Sequence, residues 1–342
     1  MKGEGCNENE NEKPLVVIAV TFLLIVFVFF ISLNLGVIKI APLQTLNVFF
    51  GQGTARDELV LFEFRLPRII LSLLVGAGIA VAGAILQSVS QNDLAEPGIL
   101  GINAGGSLAV VLFIYFFQGS ASDLGFLGAF MLPFSALAGA FLAAFLIYLL
   151  AWKKGVTPIR LILVGIGVNA GFNALLLIFQ LKMDPHDFMQ AAVWISGSIW
   201  GANWNMIWAV LPWIVILLPF TLYKARYLNI LQLGDQLATG LGTAVEKERR
   251  ILLLAAVALA ASCVAAAGGI AFLGLVAPHV ARRLTGPRHQ TLIPVSAFIG
   301  AFLFLLADTL ARNVLAPSEI PVGLVISVLG APYFIYLLMK SN

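Results

Sequence analysis

Charge is what this 342-residue chain has least of: 11% of its residues are Asp, Glu, Lys or Arg, where a soluble domain carries about 25%. So little charge cannot cover a water-facing surface, and a soluble enzyme is excluded. Histidine is nearly absent. His186, His279 and His289 are far apart in sequence, and two of them flank expected membrane surfaces, where interfacial solvation accounts for them better than a metal site does. Only two cysteines occur, Cys6 in a polar tail and Cys263 inside an apolar run, with no route to a disulfide; the redox compartment is not legible. Also missing are a phosphate-cradling Gly-x-x-x-x-Gly-Lys-Ser/Thr loop, a His-Glu-x-x-His helix and a Gly-x-Ser-x-Gly turn. The chain therefore offers no catalytic residue, no metal set and no cofactor motif. Its net charge of +3 is small and scattered, which speaks against nucleic acid. What remains is apolar: 60% hydrophobic residues including 25 Phe, and a mean hydropathy of +0.98. Disorder is excluded as firmly as solubility.

The apolar residues fall in runs long enough to cross a hydrocarbon core of about 30 Å at 1.5 Å per residue. They are 15–37, 69–88, 98–117, 124–152, 161–181, 206–222, 251–269, 292–311 and 320–339, the third interrupted at its start by Asn103, Gly105 and Gly106. Residues 1–14 read as a polar cytoplasmic tail, rich in Glu rather than Lys, ahead of a retained anchor; lipidation at Cys6 is not expected. The stretch 251–281 carries no charge and as one helix would be about 46 Å long. Gly268 and Gly269 offer a break, leaving a full span and a short helix over 270–281. Basic residues decide the parity, because they collect on the cytoplasmic side. With ten crossings and both termini inside, fourteen of the twenty Lys and Arg lie inside and six outside; nine crossings would leave eleven against nine. An all-α integral membrane protein with ten transmembrane helices follows, one domain over 15–342, with its longest cytoplasmic segment at 223–250.

Within the spans, Gly101/Gly105, Gly167/Gly171 and Gly197/Gly201 are spaced for close helix approach, and packing within one subunit is the expected use. Asp308 stands four residues before Arg312, a same-face ion pair and a poor site for coupling to an ion gradient. Gly165, Asn169 and Asn173 recur every four residues on one helix. Amides in a membrane helix need partners, so that face either meets another helix or lines a water-filled path.

Three stretches carry a likeness. Arg65-Leu66-Pro67-Arg68, Gly83-Ala84-Ile85-Leu86-Gln87 and Asn92-Asp93-Leu94-Ala95-Glu96-Pro97-Gly98-Ile99-Leu100-Gly101 form the first. The second runs from Gly269-Ile270-Ala271-Phe272-Leu273-Gly274-Leu275 through Pro278-His279 to Arg282. The third joins Ala307-Asp308, Glu319-Ile320-Pro321-Val322-Gly323 and Gly330-Ala331-Pro332. Together they resemble the permease subunits of ABC importers for iron-siderophores, haem and vitamin B12. The resemblance covers nearly everything after Pro14. It implies ten helices with an inverted repeat, a second permease subunit (identical or related), two cytoplasmic ATPase subunits, an extracytoplasmic substrate-binding protein, and residence in the inner or cytoplasmic membrane of a bacterial cell. Iron-siderophore is the expected cargo on family frequency, ahead of haem or cobalamin. An ion-coupled secondary transporter is the alternative class; it would need buried coupling groups near the midplane.

Three site expectations follow. In segment 223–250, short apolar stretches punctuated by glycine read as two small helices with Leu231, Leu233, Leu237 and Leu241 facing water, a shape for docking in a groove of the ATPase; the resemblance places Gly234, Asp235, Ala238, Gly240 and Gly242 near that contact. Asn169 and Asn173 are expected on the pathway, with Gly165 letting two subunits approach. Arg65, Arg68 and Arg312 stand at one level at the outer mouths of helices. Their guanidinium groups suit carboxylates of a docking protein, while headgroup anchoring accounts for any one of them taken singly.

Overall fold

The computed structural model describes residues 8–36, 38, 41–98, 100–121, 126–153 and 155–340. Residues 1–7 of the expected tail, with Cys6, and the expected span ends Val37 and Leu124 lie outside the described residues. The order is α1 (Glu8–Asn34), α2 (Pro42–Phe49), α3 (Ala55–Leu59), a π-helical turn (Val60–Arg65), α4 (Leu66–Ser90), α5 (Ile102–Ala121), α6 (Phe126–Ala151), α7 (Pro158–Gln180), α8 (Pro185–Ile195), α9 (Trp204–Tyr223), α10 (Ala225–Leu231), α11 (Asp235–Gly240), α12 (Val245–Ala267), α13 (Leu273–Thr285), α14 (His289–Asn313) and α15 (Val322–Lys340). Helix is the only regular structure among the described residues. Among the described residues, eight helices are long and apolar enough to cross a membrane, and Ile102–Phe117 in α5 is a shorter apolar one.

Two helices form the centre. Within the candidate spans, 78% of the window in Ala55–Ser90 and 83% of that in Val245–Ala267 is buried, against 17% in α7, so α4 and α12 are the core and α7 is an outer element. Around the core pack α13 and α14 on α4, α5 and α6 beside α12, and α9 against both; α1 and α15 lean on α14. Small residues make these approaches possible. A methyl on Gly83 would overlap the Gly274 carbonyl oxygen, joining α4 to α13, and one on Gly76 would overlap that of Gly300, joining α4 to α14. Without a strong hydrophobic drive between helices in lipid, such backbone proximity is a main source of packing energy.

The uncharged stretch 251–281 breaks where expected. Gly268 ends α12 at φ +72° with the Trp194 carbonyl against its Cα, a position only glycine fills without strain. The short helix starts at Leu273 rather than 270 and spans about 20 Å, so its N-terminus begins inside the bundle.

The expectation for the paired glycines holds only in part. Gly105 packs on Gly139 of α6, and Gly197 on Gly269 and Gly323. Gly167, Gly171 and Gly201 have open space where a side chain would go; the first two lie on the outward side of α7, and Gly201 is exposed in the turn before α9. Between α7 and α9 the chain forms the additional helix α8.

Candidate functional site

At the end of the bundle where α4 starts, two arginines condense around one carboxylate. Asp308, fully buried, accepts from Arg68 Nε at 3.0 Å and lies 2.9 Å from Arg68 Nη2. Arg312 Nε approaches its other oxygen at 3.3 Å, a close ion pair without hydrogen-bond alignment. Arg68 Nη1 donates to Glu319 at 2.8 Å, and Arg312 Nη2 to Ser32 Oγ. Arg65 is 5% exposed and donates to the carbonyls of Leu33 and Ile38. The expected i, i+4 pair of Asp308 and Arg312 is present, but the arginines are not free rim charges. Arg65 ties the end of α1 to α4, Arg312 is buried, and Arg68 with Glu319 is the part nearest solvent. All three arginines, Glu319 and the exposed Trp200 line a cavity of about 450 Å³.

The three motif stretches converge at the break after α12. Phe272 adopts φ +64°, a left-handed conformation uncommon outside glycine. Its N–H donates to Glu96 Oε2 at 2.8 Å. Gly330 of α15 leaves room for the Phe272 side chain, since a Cβ there would stand 2.5 Å from that of Phe272. Asn103 Nδ2 donates to the Ile270 carbonyl at 3.0 Å, and Gly323 N–H to the Gly197 carbonyl at 3.0 Å. Desolvation pushes the Glu96 carboxyl from its ordinary value of 4.5 up to about 7, opposed by the hydrogen bond from Phe272. A carboxyl raised by folding binds more protons folded than unfolded, so stability falls as pH rises between about pH 5 and pH 7. Thermal melting across that window is expected to show this slope in the wild type and a flatter one in Glu96→Gln; an equal slope in both would remove Glu96 as its source.

On α7 the three expected pathway residues do not share one environment. Each four-residue step turns the helix by about 40°, and the series rolls outward: Gly165 is buried, Asn169 half-buried and Asn173 exposed. Asn173 Nδ2 donates to Asn169 Oδ1 at 3.1 Å. Gly165 is thus used inside the chain, and the outward glycines of this helix are Gly167 and Gly171.

At the opposite end lie the two small helices expected in 223–250, α10 and α11. Gly234 (φ +95°) opens α11 and Gly242 (φ +78°) follows it, and these and Gly240 have nothing within 4 Å of a would-be side chain. Leu233, Leu237 and Leu241 are exposed as expected. Leu231 is a correction: it is buried, because α10 packs into the core. Ala238 is buried as well, where α11 seats its middle turn on the bundle. Asp235 is engaged by the buried Arg249, which also donates to the Val156 carbonyl at 2.7 Å. Lys224 pairs with Glu248 at 2.7 Å.

His289 corrects the expectation of interfacial histidines. It is fully buried, with Nδ1 2.7 Å from Asn229 Oδ1, an oxygen that also accepts its backbone N–H at 2.9 Å. Nδ1 must therefore carry the proton, and Nε2 faces Ser88 Oγ of α4. Gln91 Nε2 adds a bond to the Leu231 carbonyl at 2.9 Å. These bonds fasten α10 to α4 and α14. Sequence reading missed the roles of Asn229, His289 and Glu96; the available signal was Glu96 itself, a carboxylate set between Ala95 and Pro97 in the first motif stretch.

Comparison with known proteins bears on the same chain. The profile described as the FecCD transport family matches residues 23–340. The iron(3+)-hydroxamate import system permease protein FhuG of Bacillus subtilis (strain 168) is 95% identical over 313 residues, covering 92% of this chain and 93% of that one. The Fe(3+) dicitrate transport system permease protein FecD of Escherichia coli (strain K12) is 40% identical over 91% of this chain and 94% of its own. Among solved structures, an inward-facing metal-chelate type ABC transporter matches with a TM-score of 0.80 and 30% identity, over 95% of this chain and 99% of that one.

Proposed function

The chain belongs to the FecCD transport family, and from that premise we propose that it is the permease of an ABC importer carrying an iron(3+)-hydroxamate chelate. It is a multi-pass membrane transport protein and not an enzyme. The observation that carries the cargo is the 95% identity to a permease named for iron(3+)-hydroxamate import. A strain deleted for its own ferric-hydroxamate permease and given this chain should regain uptake of radioactive iron as a ferric hydroxamate, with no gain for ferric citrate, haem or cobalamin. Rescue by one of the others alone would overturn the assignment.

The ten membrane segments are α1, α4, α5, α6, α7, α9, α12, α14 and α15 together with the short α13, which returns the chain from inside the bundle, with both termini, α10 and α11 in the cytoplasm; the distribution of Lys and Arg supports this orientation. Two such permeases, two ATPase subunits and a substrate-binding protein complete the importer in the bacterial cytoplasmic membrane. The path runs between the permeases along α7, where the Asn169–Asn173 pair supplies the polar groups that lipid cannot satisfy. In a background lacking Cys6 and Cys263, Asn173→Cys should react with a small aqueous thiol reagent, and Asn169→Cys more slowly because it is half-buried. No reaction at either position in any nucleotide state would remove α7 from the pathway.

The binding protein docks at the cavity holding Arg65, Arg68 and Arg312, and its carboxylates displace Glu319 from Arg68. Reversing Arg65 is a poor test, since its guanidinium holds backbone carbonyls. Glu319→Gln is the better one. Freed of its internal carboxylate, Arg68 should speed association about three- to tenfold at low salt, as charges at an interface rim act mainly on encounter, while Arg68→Gln slows it. Stopped-flow association at two salt concentrations reads both; unchanged rates would return these residues to a structural role.

A further inference from the structure

Away from these regions, a groove of about 400 Å³ opens between α6 and α12. Its floor is apolar, with Ile147, Leu161 and Val257 buried, and its lips are the exposed Phe145 and Leu254. From Val257 to Arg250 the groove follows α12 for about 10 Å and ends at one guanidinium. Arg250 is exposed; its Nε donates to Tyr148 Oη at 3.2 Å and its plane lies 5.6 Å from the Trp152 ring. Among the described residues no carboxylate stands within ion-pair distance of it. That sets it apart from Arg65, Arg68, Arg249 and Arg282, whose terminal nitrogens are all engaged within the fold, and from Arg312, which pairs with Asp308 and Ser32. Lys247 lies one turn before it on α12, and Arg160 donates to the Ala151 and Lys153 carbonyls beside Trp152. At the mouth Glu246 also accepts from Tyr148 Oη at 3.0 Å; the cations Arg250, Lys247 and Arg160 outnumber it, and the rest of the groove is apolar.

We propose that this groove holds an anionic phospholipid, with an acyl chain between α6 and α12 and its phosphate on Arg250. Charge complementarity favours this occupant. Tyr148 and Trp152 mark the depth at which aromatic side chains meet headgroups, and a guanidinium with free terminal nitrogens grips a phosphate with two parallel hydrogen bonds. Basic pockets between membrane helices bind acidic headgroups in this manner.

Native mass spectrometry of the detergent-extracted full chain tests this with dioleoylphosphatidylglycerol and dioleoylphosphatidylcholine. The wild type should keep phosphatidylglycerol at collision energies that strip phosphatidylcholine. Arg250→Gln should lose about fivefold in that preference, the size of effect expected from one basic residue at an anionic surface, and Arg250→Lys should fall between the two. Ala144→Phe, which fills the groove, should lower retention of both lipids. Thermal melting without added lipid identifies any variant that misfolds, and Arg250→Lys then carries the test. Equal phosphatidylglycerol retention in wild type and Arg250→Gln would overturn the proposal. So would displacement of the lipid by inorganic phosphate, which would mark a plain anion site, or a Phe145→Cys disulfide to a second copy that forms equally well with the lipid present.

Discussion

Asp308→Ala is expected to destabilise the permease by about 3–5 kcal/mol, the range for removing one partner of a buried ion pair. The physical reason is the number of cations that depend on it. Arg68 and Arg312 both lean on this one fully buried carboxylate; without it two guanidinium groups face each other with only Glu319 and Ser32 left as partners. Asp308→Asn keeps a hydrogen-bond acceptor and loses the charge, so it should fall between wild type and Asp308→Ala. The double variant Asp308→Leu, Arg312→Met should recover part of the loss, because removing a buried charge together with its partner costs far less than orphaning one. Melting temperature and yield of the detergent-extracted protein read all three. A loss under about 1 kcal/mol in Asp308→Ala would mean that water, and not this carboxylate, neutralises the arginines.

The second large effect is expected on coupling to the ATPase. Leu237 and Leu241 are 61% and 63% exposed at the far end of the bundle, where the flanking Gly240 and Gly242 leave the backbone open. Fully burying a leucine at an interface is worth about 1.5–3 kcal/mol, so Leu237→Arg should weaken ATPase association about tenfold or more, and the double Leu237→Arg, Leu241→Arg variant should abolish transport. The permease itself should melt as the wild type does, because exposed substitutions of this kind stay within about 0.5 kcal/mol. Ala238→Arg cannot serve in their place: Ala238 is fully buried, and a charge there unseats α11 whether or not an ATPase is present. Wild-type association of the Leu237→Arg, Leu241→Arg permease would move the contact elsewhere.

Hydropathy and charge were enough to read an all-helical membrane protein, the span positions, the break at Gly268–Gly269, the two small helices of 223–250 and the Asp308–Arg312 pair. Each depends on local spacing: run length against bilayer thickness, glycine within an apolar run, and charges four residues apart on one helix. The motif stretches carried the family resemblance, which the comparisons confirm. Tertiary structure alone decided which side of each residue faces inward. Arg68 meets Asp308 across 240 positions, turning expected rim charges into a buried cluster, and Glu96, Phe272 and Gly330 meet only because α12 breaks beside the loop before α5 and the wall of α15. The same limit explains Leu231, Ala238, Gly165 and His289. Periodicity reports that a helix has two faces, but in a chain where nearly every face is apolar it cannot say which one a neighbour covers and which one lipid, water or another subunit does.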